Sequence, residues 1–297
     1  MHRLPSPDHS LYDPVDTSLD AGSIEPNSNA LWGVEVFGKE DEFLALIASD
    51  GSTQVWDWRE RKMVKNWSWE WTKDEKDSSL GKSGKKKLPQ SPNPTALAIV
   101  TLEGKELLAV AYQNAVVKIY DPTTGDIVKR LAADESSGKQ QLGVTQSSVA
   151  AADRFPVCAD GSQETQINAI AVHPHLPLLA TAHEDRFVRI FDLSSSSQTP
   201  IHSTLAHLDG VTSLAFSPTS PADRAGTHLL ATVSHDTSLR LWDLLIPSSS
   251  SPTMVCIQEA TSHRVKSAEG ILDIAFGQDG KTLVTSGADS TVRIWQK

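Results

Sequence analysis

Two sets of residues in the C-terminal half have the side-chain types of a hydrolytic triad: His207, Thr232 and Asp236, then His263, Thr285 and Asp289, with Trp242 and Trp295 close behind. A nucleophilic site needs a carboxylate that orients an imidazole and an imidazole that takes the hydroxyl proton. With an indole placed six residues after each aspartate, another use is expected. The aspartate orients the histidine, and the hydroxyl passes the bond on to the indole nitrogen. Such wiring satisfies buried polar groups and tightens a sheet, so both sets are read as structural.

Other chemistry is sought without success. No H-E-x-x-H, C-x-x-C, G-x-S-x-G or G-x-x-x-x-G-K-[ST] string occurs. His173 and His175 flank Pro174, but no carboxylate or thiol stands at ligand spacing, so no metal is expected. No nucleophile, base or cofactor constellation supports an enzyme, and no cofactor is expected.

The elements that must carry these residues come from internal repeats. Five segments share a short alternating strand, an apolar strand, an acidic or amide turn, and a strand ending in an aromatic residue. The anchors are Trp56-Asp57, Tyr120-Asp121, Phe191-Asp192, Trp242-Asp243 and Trp295-Gln296. Six residues before each aromatic stand Asp50, Asn114, Asp185, Asp236 and Asp289, which close tight turns by bonding their own backbone. Two before it stand Gln54, Lys118, Arg189, Arg240 and Arg293, on the same face of the strand as the aromatic. Strands are predicted at Val211–Phe216, Leu229–Val233 and Ser238–Asp243, and at Ile271–Phe276, Thr282–Ser286 and Thr291–Trp295. Four-stranded sheets set around an axis resolve the edges. The expected fold is all-β, a WD40 β-propeller with five recognisable blades, an incomplete form of a seven-bladed ring. Residues 1–29 are expected to be an irregular polar segment and 30–297 the blades. Loop insertions are expected at about 72–94, 132–164, 194–200 and 247–252, with a further loop at Pro218–Gly226. The Tyr120 and Phe191 repeats lack the indole donor and are expected to make softer blades.

Composition bounds the function. The chain has 297 residues, 27 Lys and Arg against 37 Asp and Glu, and a net charge of −10. This length buries enough surface to need neither disulfide nor metal. Cys158 and Cys256 are expected as reduced, small hydrophobes in a cytoplasmic protein. Met1 to Asp20 has neither the basic nor the apolar region of a secretory signal. No apolar run is long enough to span a bilayer, so Asn66-Trp67-Ser68 carries no meaning as a glycosylation acceptor. Residues 59–87 hold ten basic and five acidic side chains, leaving −15 on the rest, which would repel nucleic acid. Lys82, Lys85, Lys86 and Lys87 are read as a solvated loop. Trp67, Trp69 and Trp71 share one strand face, and either pack on a neighbouring blade or form an exposed patch for a partner.

Beyond the fold class, a family resemblance lies in particular runs. They are Ile167-Asn168 through His173-Pro174, Leu176-Pro177, Ala182-His183-Glu184-Asp185-Arg186, Ile201-His202-Ser203, Ala206-His207-Leu208, Val211 to Ala215, Cys256 to Glu259, His263-Arg264, Glu269, Ile271 and Ala275-Phe276. These resemble the C-terminal propeller of the striatin family, closely from about residue 165 and more loosely from Leu31 to Leu131. Tyr12-Asp13-Pro14 is similar to a linker inside that propeller. The resemblance implies a scaffold, since striatins are regulatory subunits of protein phosphatase 2A that assemble kinases and other partners into the STRIPAK complex. It also implies a cytoplasmic location, with endomembranes reached by association.

The departures are an absent coiled coil, calmodulin-binding stretch and caveolin-binding motif, and five repeats in place of seven. The chain thus resembles a truncated product, a partial gene model or a shortened paralogue. Its last repeat stops at a third strand, and residues 1–29 offer no alternating run to complete it, so an open arc or a poorly closed ring is expected.

Loops on one side of such a propeller carry Glu184, Arg186, Asp209, His235 and Arg264, the candidate protein-binding surface. A competing function comes from Trp56-Asp57-Trp58-Arg59, where Trp56, Asp57 and Arg59 match the W-D-x-R motif by which WD-repeat substrate receptors of cullin-RING ubiquitin ligases dock an adaptor.

Overall fold

The computed structural model describes residues 30–70, 91–132, 166–218, 228–245, 253–261 and 263–296. The 1–29 segment, Trp71, the lysines at 82 and 85–87, Cys158, and most of the 72–94, 132–164, 218–226 and 247–252 insertions lie outside these residues.

The described residues form five antiparallel sheets and no helix. The first holds β1 (Leu31–Phe37), β2 (Phe43–Ala48), β3 (Ser52–Asp57) and β4 (Lys62–Ser68). The second holds β5 (Pro94–Leu102), β6 (Lys105–Tyr112), β7 (Val116–Tyr120) and β8 (Ile127–Ala132). In the third are β9 (Ile167–Val172), β10 (Leu178–His183), β11 (Phe187–Asp192) and β12 (His202–Leu205). The fourth comprises β13 (Val211–Phe216), β14 (Leu229–Ser234), β15 (Ser238–Leu245) and β16 (Thr253–Thr261). The fifth has three strands, β17 (Ile271–Phe276), β18 (Thr282–Gly287) and β19 (Val292–Gln296). Pro94 opens β5 and Ala132 closes β8, so both lie in strands and outside the insertions assigned to them.

One turn chemistry recurs between the second and third strand of every sheet. The N–H of Gly51, Ala115, Arg186, Thr237 and Ser290 donates to the carbonyl three residues back. Each of these residues is left-handed, with φ of 85°, 59°, 75°, 67° and 63°. The preceding aspartate stabilises the turn by accepting the N–H two residues on, at 2.9 Å for Asp50, 3.0 Å for Asp185, 2.8 Å for Asp236 and 3.1 Å for Asp289. A left-handed residue closing a three-residue hairpin loop matches the twist of the strands it joins.

The first strands of successive sheets lie side by side, β1 on β5, β5 on β9, β9 on β13 and β13 on β17, in propeller fashion. Four apolar clusters fill the junctions. Phe37, Ala45, Ile47, Val55 and Trp69 of the first blade meet Leu97, Leu108, Val110, Tyr112 and Tyr120 of the second. Leu178, Ala180, Val188 and Ile190 of the third meet Leu214, Phe216, Leu230 and Trp242 of the fourth. Polar clamps cross the same junctions. Lys118, fully buried, donates to Glu70 O at 2.7 Å with its ammonium 3.3 Å from the Trp69 ring centre, and Arg240 donates to Ala206 O. Lys129 donates to the carbonyls of Asp192 and Leu193 at 2.9 and 3.0 Å and to that of Ser195, anchoring the serine loop after β11.

The structure decides one alternative and changes one reading. Trp67 and Trp69 pack on the second blade, 5.4 Å from Tyr120 and 4.6 Å from Tyr112, and so form no free aromatic patch. Cys256 is a free thiol but exposed, because β16 is an outer strand with solvent on both sides of its middle.

Candidate functional site

In the fourth blade an indole can only donate and a carboxylate can only accept, which orders the protons between them. Trp242 Nε1 donates to Thr232 Oγ1 at 2.9 Å, and the Thr232 hydroxyl donates to His207 Nε2 at 2.7 Å. His207 Nδ1 donates to Ser238 Oγ at 2.8 Å, and Ser238 Oγ donates to Asp236 Oδ1 at 2.6 Å. Asp236 Oδ2 lies 3.4 Å from His207 Nδ1 and accepts Leu208 N–H at 2.8 Å. Burial pushes the Asp236 carboxyl up, but bonds from His207, Ser238 and the Leu208 and Ser238 N–H groups outweigh it and hold the group below the usual carboxylate range.

The fifth blade repeats the chain with small changes. Trp295 Nε1 donates to Thr285 Oγ1 at 3.0 Å, Thr285 Oγ1 lies 2.9 Å from His263 Nε2, and His263 Nδ1 lies 3.0 Å from Asp289 Oδ1. Thr291 Oγ1 joins at 2.7 Å from Asp289 Oδ1 and 3.2 Å from His263 Nδ1. Bonds from Thr291 and His263 hold the Asp289 carboxyl well below its ordinary value. The order of bonds is that of a triad, but Thr232 and Thr285 are wholly buried and their oxygens take the indole bonds, so a substrate has no path to either hydroxyl.

Ser238 and Thr291 were not singled out from the sequence, although the hydroxyl two residues after each aspartate was a readable signal. The other blades substitute different groups. Tyr112 and Tyr120 hydroxyls meet at 2.9 Å in the second, Thr181 Oγ1 and His183 Nε2 at 2.7 Å in the third, and Trp56 Nε1 donates to Gln54 Oε1 at 3.0 Å in the first.

Glu184, Arg186, Asp209 and His235 come together where the hairpins and crossovers of the third and fourth blades meet. Arg186 O accepts the N–H groups of Ala206 and His207 at 2.9 and 3.3 Å. Asp209 O accepts Ser234 Oγ–H at 3.0 Å, and His235 N–H donates to Gly210 O at 3.2 Å. Glu184 lies against Gly210 and accepts from Asn168 Nδ2 at 2.8 Å. Arg264 stands one blade on, its N–H on Asp289 Oδ2 at 3.0 Å.

In the W-D-x-R segment, Arg59 is paired with Glu40 at 3.0 Å and stacked on Trp58 at 5.8 Å, while Asp57 accepts Glu60 N–H at 2.9 Å. Among the described residues no three His, Cys, Asp or Glu side chains converge as metal ligands, and no helix is long and apolar enough to cross a membrane.

A family model described as WD domain, G-beta repeat, matches residues 157–192, 198–243 and 254–296. The last two matches take in the outer strand of one blade and end on the third strand of the next. Striatin-3 of Mus musculus is 28% identical over 293 residues, 98% of this chain and 30% of that protein. Striatin-4 of Homo sapiens is 28% identical over 300 residues, 99% of this chain and 32% of that protein, and Striatin of Mus musculus 27% over 293 residues, 98% and 30%. The chain is similar to the striatins along nearly its whole length and carries WD repeats in its C-terminal part. It spans about 30% of the length of these curated relatives. Nothing among them supports the ligase-receptor alternative for Trp56, Asp57 and Arg59. The similarity to striatins also covers the first two blades, which the repeat model does not match.

Proposed function

We propose that this chain is a non-catalytic protein-interaction scaffold that works, as striatin resemblance implies, within a protein phosphatase 2A and kinase assembly of the STRIPAK kind in the cytoplasm. The observation carrying this reading is WD repeats combined with striatin similarity along 98% of the chain. The His207 and His263 sets serve as structural tetrads, and the buried threonine hydroxyls support that role over catalysis. The binding surface is Glu184, Arg186, Asp209, His235 and Arg264, where side chains at the blade tops are held by loops already bonded to one another.

The test is affinity purification of the full chain, tagged at its C-terminus, followed by mass spectrometry. Phosphatase 2A subunits and kinases are expected with the wild type and are expected to be depleted with Glu184→Lys plus Arg264→Glu, substitutions on bonded but accessible loops. A wild-type chain that brings down neither class overturns the assembly, and an unaffected double variant moves the surface elsewhere.

A further inference from the structure

The imidazole of His173, 6% exposed, is bonded on both nitrogens. Its Nδ1 accepts the N–H groups of His175 and Leu176 at 3.0 and 3.1 Å. A nitrogen that takes two N–H bonds carries no proton, so the ring proton is on Nε2. That Nε2 donates to His228 Nδ1 at 3.0 Å, and His228 Nδ1 must be bare in turn. The bond between the rings therefore needs a neutral His228, and the two N–H bonds into Nδ1 need a neutral His173. The bond between the rings also crosses a blade junction, because His173 follows β9 of the third blade and His228 precedes β14 of the fourth.

The surroundings favour the neutral state. Phe216, at the end of β13, meets the His173 ring at 4.9 Å, and His175 lies 6.2 Å away. Burial, then the neighbouring His228 and His175, push His173 down to about 4. Burial lowers His228 too, against the opposing pull of Asp243 on β15 and alongside His175. A cavity of about 800 Å³ opens beside His173, bordered by it, His175 and the charged groups Glu103, Lys105, Asp121 and Lys129. The turn from His173 to Pro177 forms one wall of it, held by the two N–H bonds on Nδ1 and by His173 N–H on Leu178 O at 2.9 Å.

We propose that the His173–His228 pair is a proton-released latch between the third and fourth blades, closed while both imidazoles are neutral and opened by proton uptake. A proton on His173 Nδ1 sets an N–H against two backbone N–H groups, and one on His228 Nδ1 sets it against Nε2–H. The first breaks the bonds that hold the His173–Pro177 turn, the second drives the rings apart, and each loosens the cavity wall. No other pair in the described residues joins two histidines across blades.

The test is hydrogen exchange of the full chain, read on peptides covering residues 173–178 and corrected for the chemical exchange rate. On lowering the pH from about 7.5 to about 4.5, opening of this turn is expected to rise about tenfold per unit below the ordinary histidine value near 6.5, since opening then takes up one proton. His173→Asn keeps an acceptor for the two N–H bonds but cannot reach His228 and takes up no proton, so its turn is expected to respond flatly to pH. A turn whose exchange is flat in the wild type, or as steep in His173→Asn, overturns the latch. Ring nitrogen shifts of the wild type read it independently of any variant. An Nε2–H tautomer of His173 that persists below about pH 5.5 supports the latch, while an Nδ1–H tautomer or titration near 6.5 overturns it.

Discussion

Gly287 makes room for the fifth blade's histidine, since an added Cβ would stand 2.2 Å from His263 Nδ1 and 2.8 Å from Asp289 Oδ1. Gly287→Ala must therefore displace the imidazole, and a loss of about 1–3 kcal/mol is expected in denaturant unfolding. The fourth blade gives a cleaner electrostatic measurement. Asp236 and Asp289 titrate below their unfolded values, so the unfolded chain takes up protons first as the pH falls. Their contribution is complete above about pH 4 and disappears as the pH drops through the lowered folded values. Asp236→Asn is expected to cost about 1–2 kcal/mol at neutral pH and to flatten the acid limb of the midpoint-against-pH curve; a limb as steep as the wild type's would contradict this. At this scale the sequence was legible where residue type limits proton traffic. Trp donates, Asp accepts, and His and Thr lie between them at constant offsets. It was illegible where a contact joins residues without a repeat offset, as His173 and His228 do across 55 positions.

The hairpin between the second and third strands shows how an element can be readable in chemistry yet hidden in geometry. The aspartate marks the turn in the sequence, but the left-handed residue after it is a glycine only at Gly51. Thr237 is β-branched at φ 67°, an arrangement that costs an L-residue roughly 1–2 kcal/mol. Thr237→Gly removes that cost and adds back about 0.5–1 kcal/mol of chain entropy, so a net gain of about 0.5–1 kcal/mol in thermal or denaturant unfolding is expected. A loss would mean that the threonine makes a compensating contact. The three inner strands were legible because each carries a fixed anchor. The outer strands were not, and β4, β8, β12 and β16 differ in length from 4 to 9 residues and are in large part exposed or half-buried. Without an anchor or a two-sided apolar pattern, their bounds depend on the strand they pair with.

Over the whole molecule, the junctions between the second and third, third and fourth, and fourth and fifth blades each press the aromatic-bearing face of one blade onto the aliphatic face of the blade before it. The first junction adds Trp67 and Trp69 to the first blade's side. The end blades carry the same two faces without that cover. Val34 and Val36 occupy the places of Leu214 and Phe216, yet are 59% and 47% exposed where those are 5% and 8%. Val292 occupies the place of Leu239 and is 67% exposed against 4%, and Ile294 is 74% exposed. Among the described residues no comparable packing joins β17 to β1. Contiguous apolar surface of this kind favours association. Val292→Ser with Ile294→Thr is therefore expected to lower concentration-dependent light scattering while moving the unfolding midpoint little. The equivalent change in a covered face, Leu239→Ser, empties a packed site and is expected to cost about 2–4 kcal/mol. Comparing the two separates what a blade face does when covered from what it does when open. Equal destabilisation by both would mean that the fifth blade's outer face is covered in solution, and unchanged scattering would place association elsewhere.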